Sequence, residues 1–299
     1  MHVQIVEVGP RDGLQNESAI VPAAAKITLI HKLMAAGLKR IEASSFVNPK
    51  WIPQLADADE VLLGINRSQE VTLCALVPNI RGLERARQCG LTEIALFMSA
   101  SETHNQKNIN KGIEDTYPIL REVAQEALAL GMKVRGYIST VFGCPYEGHI
   151  PLDNSRRVTE ALLEMGVYEI SLGDTIGVAT PKQVHEVFRE LVKDVTSERL
   201  AAHFHDTRGT GLANVAAALD EGIWIFDSSI GGLGGCPYAP GAAGNISTED
   251  LVYMLHGMGY ETGVDLEKLI EAGAFIGQQL DKELPSKVLR ASLASKPAG

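Results

Sequence analysis

The chain alternates between two kinds of segment along most of its length. Short runs rich in β-branched and apolar residues are followed by longer segments in which apolar residues recur at helical spacing. The strand-like runs are Val3–Val8, Arg40–Ser44, Val71–Leu76, Ile94–Met98, Lys133–Ser139, Val167–Leu172, Leu200–His205 and Ile223–Ser228. The helical segments include Ala24–Ala36, Ile80–Cys89, Thr116–Leu130, Ser155–Met165, Pro181–Val192 and Gly211–Asp220. This repetition predicts a parallel sheet covered by helices.

Several of the helical segments end in the same way, with a glycine just beyond the last apolar position. These residues are Gly37, Gly90, Gly131, Gly166 and Gly222. Glycine tolerates the left-handed conformation that often terminates a helix. We therefore expect each of these helices to stop at its glycine and to feed directly into the next strand.

Eight strand and helix units within about 230 residues fit an α/β fold, the (β/α)8 TIM barrel. Thr248–Leu255 and Leu266–Asp281 are predicted to be additional C-terminal helices. We expect a single catalytic domain over residues 1–299, with the barrel at about 3–245 and the C-terminal helices at about 246–285. The alternative, an open doubly wound sheet, predicts Gly-x-Gly-x-x-Gly after the first strand, where the chain has Gly9-Pro-Arg-Asp-Gly13.

Composition and charge narrow the class of partner. Hydrophobic residues make up 45% of the chain, but no apolar stretch approaches the roughly 20 residues that span a bilayer. The first strand begins at Val3, so we expect no leader peptide, no membrane association and a cytoplasmic location. A net charge of -10 argues against a nucleic-acid surface, and the four scattered cysteines are expected to be reduced thiols.

Most of the reactive side chains follow the carboxyl ends of predicted strands, which is where barrel enzymes place their active sites. Arg11 and Asp12 follow the first strand, and Glu42 lies near the end of the second. The remaining candidates belong to strands six to eight: Asp174, His203, His205, Cys236 and Asn245. We expect these side chains to meet at one end of the barrel.

His203 and His205 are two residues apart on a strand, so both imidazoles should face the barrel interior. A single buried histidine is more often a hydrogen-bonded core residue than a ligand, and the pair alone fits either role equally well. Asp12 and Asn245 favour the ligand role because they would add two oxygen donors. Two imidazoles and two oxygens can hold a divalent cation and leave positions open for a substrate. Asp12 is equally compatible with a capping or turn role.

Arg11, Glu42 and Asp174 each have two interpretations. Arg11 beside Asp12 could form a surface ion pair, or its fork of donors could bind an oxygen on which negative charge develops. Glu42 and Asp174 could brace barrel partners or take part directly in catalysis, and Glu42 could orient Arg11 or a metal-bound water.

The segment Asn105–Asn110 follows the fourth strand, and we expect it to be a loop at the same end of the barrel. It carries Lys107, and Lys111 follows it, so the segment offers cations for phosphate groups on an otherwise acidic protein. Ordinary solvent exposure is the more common explanation of such lysines. We take Lys107 and Asn108 as candidate substrate contacts.

Five motifs occur in order along the chain and give it a resemblance to the 3-hydroxy-3-methylglutaryl-CoA lyase family. They are Gly9–Glu17, Glu42–Phe46, Ser171–Gly177, His203–Asp206 and Gly231–Ala239. The first and fourth are shared with a wider group of metal-dependent barrels that make or break carbon-carbon bonds, whereas the glycine-rich motif around Cys236 is more specific to the lyase. The resemblance covers about residues 3 to 285.

The resemblance implies a function and a role for each matching residue. It implies retro-Claisen cleavage of an acyl-CoA, (S)-3-hydroxy-3-methylglutaryl-CoA, to acetoacetate and acetyl-CoA. Arg11 would stabilise the enolate of the departing acetyl-CoA, Cys236 would be the catalytic thiol, and Glu42 and Asp174 would support catalysis. The implied ligands of a divalent cation, usually Mg or Mn, are Asp12, His203, His205 and Asn245.

Two other functions fit some of the same residues. A condensing synthase of the same barrel group would join acetyl-CoA to a 2-oxo acid, but such enzymes usually continue into a regulatory region after the barrel. A non-enzymatic, metal-dependent acyl-CoA binder would give no reason for Arg11 and Cys236 to accompany a full ligand set. Assembly as a homodimer is compatible with all three.

Overall fold

The computed structural model describes residues 1–235 and 244–294. Its eight strands run parallel, pair in chain order and close into a barrel, which confirms the predicted (β/α)8 fold. The strands are β1 (Gln4–Glu7), β2 (Arg40–Ser45), β3 (Thr72–Leu76), β4 (Glu93–Ser99), β5 (Lys133–Ser139), β6 (Glu169–Asp174), β7 (Leu200–Phe204) and β8 (Ile225–Ser228). Pairing of β1 with both β2 and β8 closes the sheet and leaves no open edge.

Helices lie between the strands and after the last one. They are α1 (Ala23–Ala35), α2 (Ala58–Gly64), α3 (Ile80–Gln88), α4 (Glu102–Ile109), α5 (Ile113–Ala129), α6 (Leu152–Glu164), α7 (Pro181–Leu191), α8 (Gly211–Asp220), α9 (Thr248–Gly257), α10 (Leu266–Leu280) and α11 (Lys287–Ala294). The five glycines predicted to end helices all have positive φ, between 68° and 99°, which confirms that prediction. In the described part of the chain, no helix has both the length and the apolar character needed to cross a membrane.

The two faces of the sheet differ in chemistry. Residues such as Ile41, Ile94 and Phe226 point outward and form one continuous apolar core with the helices. A separate small apolar cluster of Val6, Val8, Ala201 and Ile225 fills part of the interior. Most of the remaining interior is polar or charged, yet it is buried, so its charges must be paired within the barrel.

Three helices were not predicted from the sequence: α2, α4 and α11. The segment expected to be a loop after the fourth strand is largely α4, whose polar sequence lacks the apolar stripe that marks a helix. Its start is instead specified by a cap, because Ser101 Oγ accepts a hydrogen bond from the His104 backbone at 3.1 Å. Helix α11 extends beyond the predicted end of the C-terminal helices at about 285.

Candidate active site at the carboxyl end of the barrel

A tight turn, Gly9–Gly13, follows β1 and carries Arg11 and Asp12 over the end of the barrel. The turn packs directly against the chain that follows β8. A Cβ atom added to Gly13 would lie 2.8 Å from Leu233 Cβ and 2.8 Å from Ser229 Oγ. Glycine is therefore required here because a side chain would push the two segments apart.

Three side chains that are distant in sequence meet beside this turn. Asp12, His203 and His205 each offer a ligand atom, and these atoms all lie within 4.8 Å of one another. His203 Nε2 is 3.9 Å from Asp12 Oδ2, and the two imidazole centroids are 5.3 Å apart. His203 lies on β7 and His205 just beyond its end, so the alternation of the strand places both rings in the same region.

The protonation states of His205 and Asp12 suit a cation. Burial lowers the pKa of His205 to about 4, so its ring is neutral at pH 7. Its Nδ1 atom is buried and has no hydrogen-bond partner among the described residues. Burial raises the pKa of Asp12, but Arg11 and the two histidines lower it more, and the resulting pKa of about 2 keeps the carboxylate ionised. An anion beside a neutral, unpartnered imidazole nitrogen fits a divalent metal.

Asn245 borders the same cluster. Its Nδ2 donates to Asp12 Oδ2 at 2.8 Å and to the Leu233 carbonyl at 3.1 Å, and its backbone pairs with that of His205. Gly234, with φ at +103°, makes this approach possible, since a Cβ atom there would lie 2.6 Å from Asn245 Nδ2. Metal ligation by Asn245 would require the amide to turn its oxygen toward the cluster.

Arg11 is fixed between two carboxylates. Its Nε donates to Glu42 Oε2 at 2.7 Å, and it forms a second ion pair with Asp12. Tyr137 also donates to Glu42 Oε2, at 3.2 Å. Burial lowers the pKa of Arg11, but Glu42 and Asp12 raise it well above its ordinary value, so the guanidinium stays charged. Arg11 is only 7% exposed, which excludes the surface ion pair.

Asp174 lies at the end of β6 and is engaged with the backbone of the following loop. Its two carboxylate oxygens accept hydrogen bonds from Val178 N at 2.9 Å and Ala179 N at 3.0 Å. Burial raises the pKa of Asp174 to about 6, although these bonds oppose the rise. The contacts match the bracing interpretation, and a direct catalytic role for Asp174 stays a prediction.

The other candidates are less defined. Lys107 and Asn108 are exposed on α4 rather than on a loop, and Lys107 Nζ lies 5.0 Å from the centroid of the Tyr146 ring. Cys236 lies outside the described residues, so its catalytic role stays a prediction.

The sequence analysis missed several interior residues that contact the predicted ones. Asp227 on β8 lies 3.2 Å from His203 Nδ1, and Arg135 on β5 donates to Asp227 at 2.7 Å. Tyr137, two residues after Arg135, contacts Glu42 as described above. Strand alternation could have identified these residues. A charged or phenolic side chain within a buried strand, at a position that faces the barrel interior, needs a hydrogen-bond partner in that interior.

Comparison with known proteins finds relatives that match nearly the whole chain. The HMGL-like family matches residues 2–276. The chain is 54% identical to hydroxymethylglutaryl-CoA lyase YngG of Bacillus subtilis over 96% of each protein. The crystal structure of the Bacillus subtilis HMG-CoA lyase superimposes with a TM-score of 0.97 at 53% identity, covering 98% of both chains.

A second solved structure adds a bound ligand. It is an HMG-CoA lyase from Acinetobacter baumannii in complex with coenzyme A and 3-methylmalate, with a TM-score of 0.93 at 40% identity, covering 99% of this chain and 96% of that one. On these matches, and on the barrel and polar cluster described above, the chain belongs to the HMGL-like family.

Proposed function

We propose that this protein is a hydroxymethylglutaryl-CoA lyase, which cleaves (S)-3-hydroxy-3-methylglutaryl-CoA to acetoacetate and acetyl-CoA. The observation that carries the proposal is the buried Arg11 beside the Asp12, His203 and His205 cluster, in a chain 54% identical to a lyase over 96% of both lengths. The cluster offers a place for oxygen ligands of a substrate, and Arg11 offers a fixed positive charge next to it.

The residues that would hold a divalent cation are Asp12, His203, His205 and Asn245, with Mg or Mn as the proposed metal. The ionised Asp12 and the unpartnered Nδ1 of His205 support this assignment. When bound, such a cation supplies Lewis-acid polarisation of the substrate's hydroxyl and carboxylate oxygens.

The reaction needs a group that stabilises the negative charge that develops on the departing acetyl-CoA fragment. Loss of the hydroxyl proton lets the carbon-carbon bond break, and its electron pair passes to the CH2 carbon next to the thioester carbonyl, which gives the enolate of acetyl-CoA. Arg11 would donate hydrogen bonds to that enolate oxygen, and its pairing with Glu42 fixes the guanidinium before the charge develops. A proton delivered to the enolate carbon then completes acetyl-CoA.

Three further roles belong to the same proposal. Cys236 would carry a proton to or from the reacting groups, since the ordinary thiol pKa of about 8.5 can be tuned by nearby charge. Asp174 would support the site from the end of β6. Lys107 and Asn108, exposed on α4 beyond the end of β4, would bind the coenzyme A portion of the substrate.

The decisive experiment supplies purified protein with Mn²⁺, a thiol reductant and 3-hydroxy-3-methylglutaryl-CoA. We expect equimolar acetoacetate and acetyl-CoA, and loss of both products when EDTA removes the metal. Release of coenzyme A from acetyl-CoA plus a 2-oxo acid, with no acetoacetate from the first substrate, would contradict the lyase and indicate a condensing synthase.

The cytoplasmic location and the homodimer also belong to this proposal. Cell fractionation tests the first. Sedimentation of the purified protein tests the second, with a mass of twice 32.2 kDa as the expected result.

A further inference from the structure

Building on the proposed metal centre, we propose that Asp227 is a positioning residue that holds the His203 ring with Nε2 directed at Asp12. Asp227 is 1% exposed and points into the barrel from β8, one strand away from His203 on β7. The register pairs the two residues directly, so the backbone of the barrel itself sets their approach. Asp227 has no place in the proposed chemistry, yet it contacts one of the proposed ligands.

The contact fixes which nitrogen of His203 faces the cluster. His203 Nδ1 lies 3.2 Å from Asp227 Oδ2, whereas His203 Nε2 lies 3.9 Å from Asp12 Oδ2. An ionised carboxylate only accepts hydrogen bonds, so Nδ1 must carry the proton in the neutral ring. The lone pair is then on Nε2, on the side of Asp12 and His205.

Asp227 is itself held so that it cannot turn away. Its Oδ1 accepts a hydrogen bond from Arg135 at 2.7 Å, and its Oδ2 accepts one from Ser171 Oγ at 2.6 Å. Arg135 is held in turn by Glu169, whose Oε1 accepts from Arg135 Nε at 2.6 Å. The imidazole is thus held by a buried hydrogen-bond network before any metal binds, which lowers the entropic cost of binding.

The variant Asp227→Asn separates this role from packing, because it changes charge but hardly changes shape. An amide oxygen can face either Arg135 or His203, and the buried cation of Arg135 is the stronger partner. The amide NH2 would then face His203 Nδ1 and favour the tautomer with the proton on Nε2. That proton would lie where the metal ligand should be, an outcome of the same kind as the wrong tautomer produced by Asp→Asn in a catalytic triad.

The first test is Mn²⁺ binding, measured by titration calorimetry on the metal-free protein. We expect Asp227→Asn to bind Mn²⁺ about 10-fold to 100-fold more weakly than the wild type. The matched control is Glu221→Gln, because Glu221 accepts from His185 Nδ1 at 2.8 Å in a histidine and carboxylate pair outside the site. That control should bind Mn²⁺ with unchanged affinity.

The second test reads the ring directly and uses wild-type protein, so it stands even if Asp227→Asn does not fold. Long-range ¹H–¹⁵N spectra, recorded at a pH where the ring is neutral and with His203 assigned by the variant His203→Gln, should show the tautomer with the proton on Nδ1. A proton on Nε2 overturns the inference, and so does equal Mn²⁺ affinity in wild type and folded Asp227→Asn. Absence of Mn²⁺ binding to the wild type would instead refute the proposed metal centre itself.

Discussion

At the scale of single residues, Arg11 is the side chain whose geometry most directly implies a role in the reaction. Glu42 and Asp12 form ion pairs with its guanidinium, and the guanidinium carbon, Cζ, lies 5.5 Å from the centroid of the Tyr137 ring. Lysine would keep the positive charge but lose the planar fork that contacts both carboxylates. We expect Arg11→Lys to lower kcat at least about 100-fold, or ~3 kcal/mol, with a modest change in KM.

Steady-state kinetics on acetoacetate formation measure this effect. Arg81→Lys is the matched control, because Arg81 is exposed on α3, and its kinetics should equal those of the wild type. Near-normal turnover by Arg11→Lys would remove Arg11 from the mechanism.

His205 is the proposed ligand with the simplest surroundings, because its buried Nδ1 has no partner in the described part of the chain. We expect His205→Ala to weaken Mn²⁺ binding at least about 10-fold, since a ligand atom disappears while the hydrogen-bond network around Asp227 stays intact. Isothermal titration of the metal-free variant measures it. His185→Ala, which removes a half-buried histidine elsewhere, should titrate like the wild type, and an unchanged titration for His205→Ala would contradict the ligand assignment.

The sequence was informative about these residues because strand alternation and strand ends are local properties. The spacing of His203 and His205 and the position of Asp12 after β1 were enough to predict one cluster. The pairing of Asp227 with His203 was not predictable, because it depends on which interior side chains reach the same level of a closed barrel, and the register sets that level. The backbone contacts of Asp174 depend on a loop without periodicity, so no pattern could reveal them.

At the scale of elements, two buried glutamic acid side chains join the segments that carry the site. Glu7 on β1 accepts hydrogen bonds from Gly9 N at 2.7 Å and Ile230 N at 2.8 Å, so it links the turn after β1 to the segment after β8. Glu249 on α9 accepts from Gly231 N at 2.8 Å. The turn after β1 and the segment after β8 both border the proposed site. Glu7 joins these two segments to each other, and Glu249 joins the second one to α9.

The anchor at Glu249 predicts a dependence of stability on pH. Burial raises its pKa from 4.5 to about 8, although hydrogen bonds from Gly231 and Ser247 oppose the rise. Between these pH values the folded chain keeps a proton that the unfolded chain has lost. Each unit of rising pH therefore lowers the free energy of unfolding by up to about 1.4 kcal/mol through this group.

The variant Glu249→Gln isolates this contribution, because an amide does not ionise and still offers one oxygen to Gly231. We expect the variant to gain stability relative to wild type as pH rises from about 5.5 to about 7.5, as measured by urea unfolding at several pH values. Glu126→Gln, which alters an exposed residue of α5, should show a difference that does not change with pH. A constant offset for Glu249→Gln would mean that Glu249 is ionised throughout this range.

The elements predicted from the sequence were those whose own residues carry a pattern. All eight strands and the long amphipathic helices have one, whereas α4 is polar along its length and α2 has only seven residues. Such short helices form because neighbouring strands and caps hold them, and those contacts are tertiary.

At the scale of the whole molecule, the charged interior ties distant strands together. Arg40 on β2 binds Glu169 on β6 with two hydrogen bonds, at 2.8 and 2.9 Å. Glu169 also binds Arg135 on β5, and Arg135 binds Asp227 on β8. This chain of alternating charges crosses the barrel and ends at His203, so it connects β2, β5, β6 and β8 to a ligand of the proposed metal centre.

Arg135 is the member on which this interior depends most, because it is 1% exposed and pairs with two buried carboxylates. Arg135→Met keeps much of the volume but leaves Asp227 without its cation. We expect the free energy of unfolding to fall by about 3–5 kcal/mol, since one partner of a buried ion pair is removed while the other stays. Urea unfolding followed by circular dichroism measures this loss, and Mn²⁺ affinity should fall with it because Asp227 no longer stays in place.

The matched control is Arg87→Met, which removes an exposed ion pair with Glu84 on α3. Solvent already screens that pair, so its loss should leave the urea midpoint nearly unchanged. If Arg135→Met were as stable as this control, the ion pairs of Arg135 would contribute little to the stability of the barrel. A loss of stability with unchanged Mn²⁺ affinity would show that the network supports the fold without orienting His203. Only a loss of both stability and Mn²⁺ affinity in Arg135→Met would show that Arg135, through Asp227, links the charged interior of the barrel to the proposed metal centre.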